Sequence, residues 1–483
     1  MPKNFTLLVL HLALLQAYTA QTGILQTCWN KQVNPAKYVY LQLSYAEKVN
    51  QLYHSPEPWL QLNYEGKGII GCNPKTFLKQ DTLTRGKRTF FSKGQYNDST
   101  YLYLDYGDKE LSPITKRMFT ERYLLSLRYT PIQLVDLALR EKFKVGKQSD
   151  KIHVVYEGSI NKINLQLFVR RSDSLLGKIS LLMDDDLYGD VSEHYTYNDY
   201  QKVGEIFYPQ TIAISKKNAK VFDTVKIAGA KFIDQPPFTI EKPAEYQMKD
   251  DVVEKPDLKI EKYSDHIYFM DLKHASTRVM LVEFKDFFLV AEAPLNSKNG
   301  ELIIDQAKKI APGKPVRYFV FGHHHPHYLG GVRAFVHKGA KILAVPSNKE
   351  YVNYLVDARH TLNPDSLQLQ PKRLQLELLN DSVTITDGTY TMNIHFLGEK
   401  SGHTKDCLVY YFPEEKILFE DDLVWIKSNG EIKKANDMQV GLYTMMKERK
   451  LEVKTIVQSW GISSENYKTY IPFSDLEASI NAK

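Results

Sequence analysis

Residues 323–331 read His-His-His-Pro-His-Tyr-Leu-Gly-Gly, and no other stretch constrains the fold of this chain so tightly. They follow Val316 to Phe321, an apolar run of strand length, and they precede Val332, Phe335 and Val336 at helical spacing. At a strand end, residues two apart point to the same side, so His323 and His325 are expected to converge. The pair Gly330-Gly331 suits a close turn of the backbone into the following helix. Neutral imidazole is a good zinc ligand, and three protein ligands plus a water make a catalytic site.

A third histidine comes from a separate segment, Gly402-His403-Thr404. It precedes an expected hairpin: Leu408 to Phe412, a turn at Pro413 to Lys416, then Ile417 to Phe419. That hairpin ends at Glu420-Asp421-Asp422, where an aspartate is well placed to face a cation. Around these motifs, strands (267–270, 279–284, 287–291, 316–321, 342–345) alternate with helical patterns. One helix runs through Leu302, Ile303, Ala307 and Ile310 to a stop at Pro312-Gly313. Ser347 and Glu350 are read as a capping box opening another. The alternation predicts a layered α/β domain over residues 255–483.

Order and spacing here resemble the metallo-β-lactamase superfamily, whose signature is His-x-His-x-Asp-His followed by x-Gly-Gly, then Gly-His-Thr, a hairpin ending in Gly-Asp, and a late His. The resemblance covers roughly residues 260–475 and implies an αββα sandwich. It places His323, His325 and His403 as ligands of one zinc ion and Asp422 at the position that bridges two metals. Departures are equally specific. The family's Asp is His327 here, its next His is Tyr328, its last His falls near Trp460, and its early Asp corresponds to Glu292. The resemblance therefore implies one intact site and a degenerate second one. His327 stands as a substitute base and Tyr328 as an oxyanion donor, against the alternative that both are relics. The three histidines are likewise set against vestigial residues that no longer bind metal, and Asp422 against a loop cap. His324 is read as a support or an exposed residue, His337 as a surface residue, His395 as packed, and Cys407 as core.

The N-terminal half, residues 21–245, reads as α+β with mostly antiparallel sheet. Ile163, Leu165, Leu167 and Val169 alternate with polar residues, turn at Arg171-Ser172-Asp173, and resume at Ile179 and Leu181. Further strands are expected at 206–208, 212–214 and 221–227, and helices at 35–55 and 115–142. The phrase Tyr197, Asp199, Tyr200, Val203-Gly204, Tyr208-Pro209 resembles bacterial outer-membrane lipoprotein-carrier half-barrels; any antiparallel sheet with helices on one side fits as well. Prolines 236, 237, 243 and 256 punctuate a charged stretch and mark the linker between the halves.

Residues 5–15 form an apolar run behind Lys3, too short to span a bilayer and suited to a signal peptide over 1–20, although Tyr18 is a poor fit before Ala20. An exported protein, periplasmic or secreted, is expected, without a transmembrane segment in the mature chain. Cys28 and Cys72 are a candidate pair in an oxidising compartment. The formal charge of +6 is spread among interspersed acids and bases, giving no stripe for nucleic acid. The expected function is a hydrolase of the metallo-β-lactamase fold using a single zinc, acting on a small molecule. The alternative is a catalytically inactive binding protein of the cell envelope, holding one zinc or none.

Overall fold

A computed structural model describes residues 23–33, 40–52, 54–97, 100–105, 110–113, 116–160, 162–241, 244 and 256–482. The signal-peptide reading of residues 1–20 lies outside them. They divide into two compact units that do not follow the expected linear boundary. The first comprises Met1–Gln51, Gln61–Met183 and Val191–Val252; the second comprises Leu52–Leu60, Asp184–Asp190 and Val253–Lys483. No helix among the described residues is long and apolar enough to cross a membrane.

The first unit is one 13-stranded sheet. Its strands are β1 (Tyr40–Gln51), β2 (Leu62–Cys72), β3 (Thr76–Arg85), β4 (Arg88–Asn97), β5 (Thr100–Asp105), β6 (Glu110–Pro113), β7 (Lys144–Val145), β8 (His153–Ile160), β9 (Ile163–Arg170), β10 (Leu176–Asp185), β11 (Gly189–Val203), β12 (Ile206–Lys216) and β13 (Val221–Ile233). The spatial order is 6-5-4-3-2-1-13-12-11-10-9-8-7, so β1 pairs with β13 and joins two meanders. Against this sheet pack α1 (residues 23–32), α2 (Lys116–Ser126) and α3 (Pro131–Arg140). The helix expected over 115–142 is thus broken. Pro131 sits at the first turn of α3, where its missing N–H costs nothing, and Ile132, Leu134, Val135, Leu137 and Ala138 are buried.

The helix expected over 35–55 is overturned. Residues 40–51 form β1, with Leu41, Leu43, Tyr45, Glu47 and Val49 buried at period two. Ala46, Glu47 and Lys48 favour helices locally, but pairing on both sides, with β2 and β13, overrides that preference. Cys28 and Cys72 do not pair either. Both are buried free thiols, Cys28 bonded to Gln32 within α1 and Cys72 to the carbonyl of Leu41. The tyrosines of the phrase around 200 tie the sheet to its helices. Tyr197 donates to the carbonyl of Leu127 and Tyr208 to that of Tyr129, both just after α2, while Tyr200 accepts from Gln32 of α1 and donates to the carbonyl of Leu176 in β10.

The second unit holds two sheets. One contains β14 (Leu258–Lys262), β15 (Ile267–Leu272), β16 (Thr277–Glu283), β17 (Phe288–Ala291), β18 (Val316–Val320), β19 (Lys341–Ala344) and β20 (Gln375–Leu378), in that order. It is antiparallel up to β17 and parallel from β17 to β20. The parallel steps need crossovers, and α4 (Ser297–Ile310), α5 (Pro326–Leu329), α6 (Val332–Lys338), α7 (Lys349–Asp357) and α8 (Ser366–Leu369) supply them. The other sheet contains β21 (Val383–Thr386), β22 (Thr391–Phe396), β23 (Leu408–Phe412), β24 (Ile417–Glu420), β25 (Thr455–Gln458) and β26 (Tyr470–Pro472). Its outer face carries α9 (Asp437–Glu448) and α10 (Phe473–Asn481), with Leu442, Met446 and Leu476 buried against Val409, Leu418 and Ile456.

A shared core lies between the two sheets: Phe269, Met280, Val282, Leu289 and Val320 from one meet Ile394, Tyr410, Phe412, Phe419 and Val457 from the other. Two local expectations fail here. Asn348, not Ser347, caps α7, and it does so without a side-chain bond; the capping box belongs to α9, between Asn436 and Gln439. His337 is buried, its Nδ1 3.4 Å from the carbonyl of Gln370, because α6 is covered on that side as well. His395 is packed against Ser382, and Cys407 is core.

Candidate metal centre

The site lies where β18 and β23 meet. β18 runs out through Phe321 and Gly322 into the histidines, and the carbonyl of Gly322 accepts the N–H of Leu408, the first residue of β23. That bond brings the loop carrying His323 to His325 beside the loop carrying His403. Gly322 is required here, since a Cβ would come within 2.2 Å of the Asp421 carboxylate. Downstream, Ala293 and Leu295 donate to the carbonyls of Tyr328 and Pro326, stitching the short helix α5 to the start of α4. A Cβ on Gly330 would strike the backbone of Leu295 at 2.4 Å, so close approach explains the glycine, not a special torsion.

His323, His325 and His403 each aim one ring nitrogen at a common space, all three within 4.8 Å of one another. Nε2 of His323 and Nδ1 of His325 are 2.9 Å apart. The far sides of these two rings face different partners. Nδ1 of His323 lies 2.7 Å from Asp421 Oδ2, and Nε2 of His325 donates to the carbonyl of Ser55 at 3.0 Å. The Ser55 carbonyl assigns the His325 proton to Nε2, so that neutral ring turns a bare Nδ1 inward. Burial, then the neighbouring imidazoles, hold His323 well below the ordinary histidine range and push His325 down to about 3. At 2.9 Å the His323 ring can donate to the bare Nδ1 of His325, a proton that a bound metal ion would displace.

The three acids that close the β23–β24 hairpin divide the labour. Glu420 accepts the N–H of Leu423 and takes the loop-capping role. Asp421 faces His323, and Asp422 lies 3.4 Å from Nε2 of His403 while accepting a bond from Tyr328. Both Nε2 of His403 and Oδ1 of Asp422 are buried atoms without a hydrogen-bond partner. Glu292 accepts from Gly322 N–H at 3.0 Å and from Tyr410 at 3.0 Å. Burial raises it to about 8 and raises its neighbour Asp421 too, so the two carboxyls retain a proton between them at neutral pH.

His324 does not join the centre. Its N–H and Nδ1 bind Asp406 at 2.8 and 3.1 Å, and burial of that aspartate is outweighed by bonds from His324, Asn348 and Thr404 that hold its carboxyl low. His327 is half-buried with its ring 4.2 Å from that of Trp460, and burial followed by the charge of His54 pushes it down to about 4. Tyr328 is buried, 4.4 Å from the His323 ring. The sequence-expected base and donor, His327 and Tyr328, thus both pack against aromatic rings. Sequence reasoning missed Ser55, which lies 270 residues from His325, and Asp421, which no periodicity separates from its neighbours once the strand has ended.

Fold and site together define a two-sheet α/β unit with a three-histidine cluster. Solved structures similar to this chain are metallo-beta-lactamases. One from Pontibacter korlensis is 18% identical, covering 47% of this chain and 98% of its own, with a TM-score of 0.35. The FIM-1 enzyme of Pseudomonas aeruginosa, in a mono-zinc form, is 18% identical, covering 46% and 93%, with a TM-score of 0.33. That of Hirschia baltica is 17% identical, covering 47% and 97%, with a TM-score of 0.33. No family model matches the chain.

Proposed function

We propose that this chain is an exported metal-dependent hydrolase that holds a single zinc ion through His323, His325 and His403, with Asp422 beside it. The observation that carries this reading is the inward convergence of the His323 and His325 nitrogens while Asp421 and the Ser55 carbonyl occupy their outer sides. A zinc ion there supplies Lewis acidity for hydrolysis near neutral pH. The residues do the rest. Asp421 and Ser55 orient the rings, Tyr328 steadies Asp422, and the free carboxylate oxygen of Asp422 offers an acceptor on the open side. His327 is the candidate base and Tyr328 the candidate donor to a developing negative charge. Export rests on the apolar run 5–15. The substrate class is a small ester, amide, thioester or phosphoester.

One feature favours a second reading, a non-catalytic binding protein that keeps the scaffold: His327 packs on Trp460 where the resemblance expects open ligands. Elemental analysis of chelator-free protein separates the outcomes. About one zinc per chain in the wild type, lost in His323→Ala/His403→Ala, supports the metal centre; no zinc after reloading overturns it. Hydrolysis of a panel of these substrate classes by the loaded protein then decides between enzyme and binder.

A further inference from the structure

Residues 52–60 connect β1 to β2 in sequence but belong to the second unit, and they reach both loops that carry the histidines. The carbonyl of Ser55 accepts from Nε2 of His325 at 3.0 Å, and its hydroxyl lies 3.4 Å from Nε2 of His324. One residue on, the carbonyl of Pro56 accepts the N–H of Lys405 at 2.8 Å, two positions after His403. Glu57 pairs with the Lys405 ammonium at 2.5 Å. A single short stretch thus binds the 323–325 loop with one residue and the 403–405 loop with the next two.

The stretch is held at cost. His54 and Trp59 adopt φ of +56° and +64°, in the left-handed region that L residues with side chains avoid at about 1–2 kcal/mol each. Such torsions persist only where the surroundings fix them. The fixing contact is Trp59, whose ring stands edge-on to Tyr351 and Tyr354, both at 4.9 Å, with Tyr188 at 5.8 Å. Tyr188 comes from the other inserted segment, 184–190, and its hydroxyl is 3.0 Å from that of Tyr351. Next to this anchor, the ring of His54 lies 5.6 Å from that of His325.

We propose that residues 54–59 are a positioning strap of the metal centre: the Ser55 carbonyl sets the His325 ring with Nδ1 turned inward, and Pro56 and Glu57 fix the His403 loop at matching distance. This rests on the reading of the three histidines as a metal centre. Outer partners of ligating histidines typically contribute about 10- to 100-fold in metal affinity. The test is zinc affinity of the full chain, by competition with a chromophoric chelator, alongside the visible spectrum of the cobalt-loaded protein. Trp59→Ala is expected to weaken zinc by about 10-fold or more and to shift the cobalt bands, with Trp59→Phe restoring both. Pro56→Gly frees the strap without removing a buried ring, and is expected to weaken zinc in the same direction. Wild-type affinity and cobalt spectra in both Trp59→Ala and Pro56→Gly would overturn the strap while leaving the metal centre standing. A wild-type chain that takes up no zinc would sink the metal centre itself, and the strap with it.

Discussion

Both units bury charged and polar side chains, but they finish the job differently. In the first, Gln133, Asp223 and Glu47 each close on partners from their own unit. Gln133 donates to the carbonyls of Asn73 and Thr76 at 3.1 and 3.0 Å and accepts from Thr130 and Tyr96. Asp223 pairs with Lys216 at 2.5 Å and Arg128 at 3.8 Å, and Tyr129 donates to Glu47 at 2.8 Å. In the second unit the network stops short. Ser55 satisfies the outer side of His325, while His323, His403 and Asp422 each keep a buried ring nitrogen or carboxylate oxygen with no hydrogen-bond partner. The first network is completed by ion pairs to Lys216, Arg128 and Lys79; the second gathers three imidazole nitrogens around a common space, an arrangement that can take a cation.

This contrast sets the order of expected effects. Asp223→Ala leaves Arg128 and Lys216 without their buried carboxylate and should cost the first unit about 3–5 kcal/mol, read in urea unfolding, with zinc binding unchanged. Glu292→Gln comes next, and only in part of the pH range. Its folded pKa is raised to about 8 from 4.5, so its stabilising protonated state is fully present below about 4.5 and is lost as pH rises towards 8. Metal-free wild type should therefore lose melting temperature across that window, and Glu292→Gln should flatten the slope; an unchanged slope would show that the Glu292–Asp421 pair is not the source. The smallest change in stability is expected from His403→Gln, within about 1 kcal/mol in the metal-free protein, because no bond is broken. The same variant should lose most of its zinc affinity. If His403→Gln proved as costly to the metal-free fold as Asp223→Ala, the two networks would be of one kind and the centre merely structural.

Much of the second unit was legible in sequence because its signals are local. The strand before the histidines, the glycine pair, the stop at Pro312-Gly313 and the turn at Pro413 to Lys416 each depend on residues within one element. The β9–β10 hairpin of the first unit was legible for the same reason. What was missed depends on distant partners. β1 carries helix-favouring residues and becomes a strand only because β2 and β13 flank it. Asp421 and Asp422 are told apart only by where β18 ends opposite them. Ser55 contributes a backbone carbonyl, for which no residue type is a signature, from a segment that sequence order assigns to the other half.

The strap also sets the order in which the molecule can be finished. The bond between Ser55 and His325 closes a loop of 270 residues, and the last strand of the second sheet, β26, ends only at Pro472. Contacts of such separation pay their closure entropy before they return anything, and they form late. A growing chain can pair β2 with β3 as soon as both exist. Residues 52–60 find their partners only after residues 325 and 405 exist, so the histidine centre is expected to be completed late in folding.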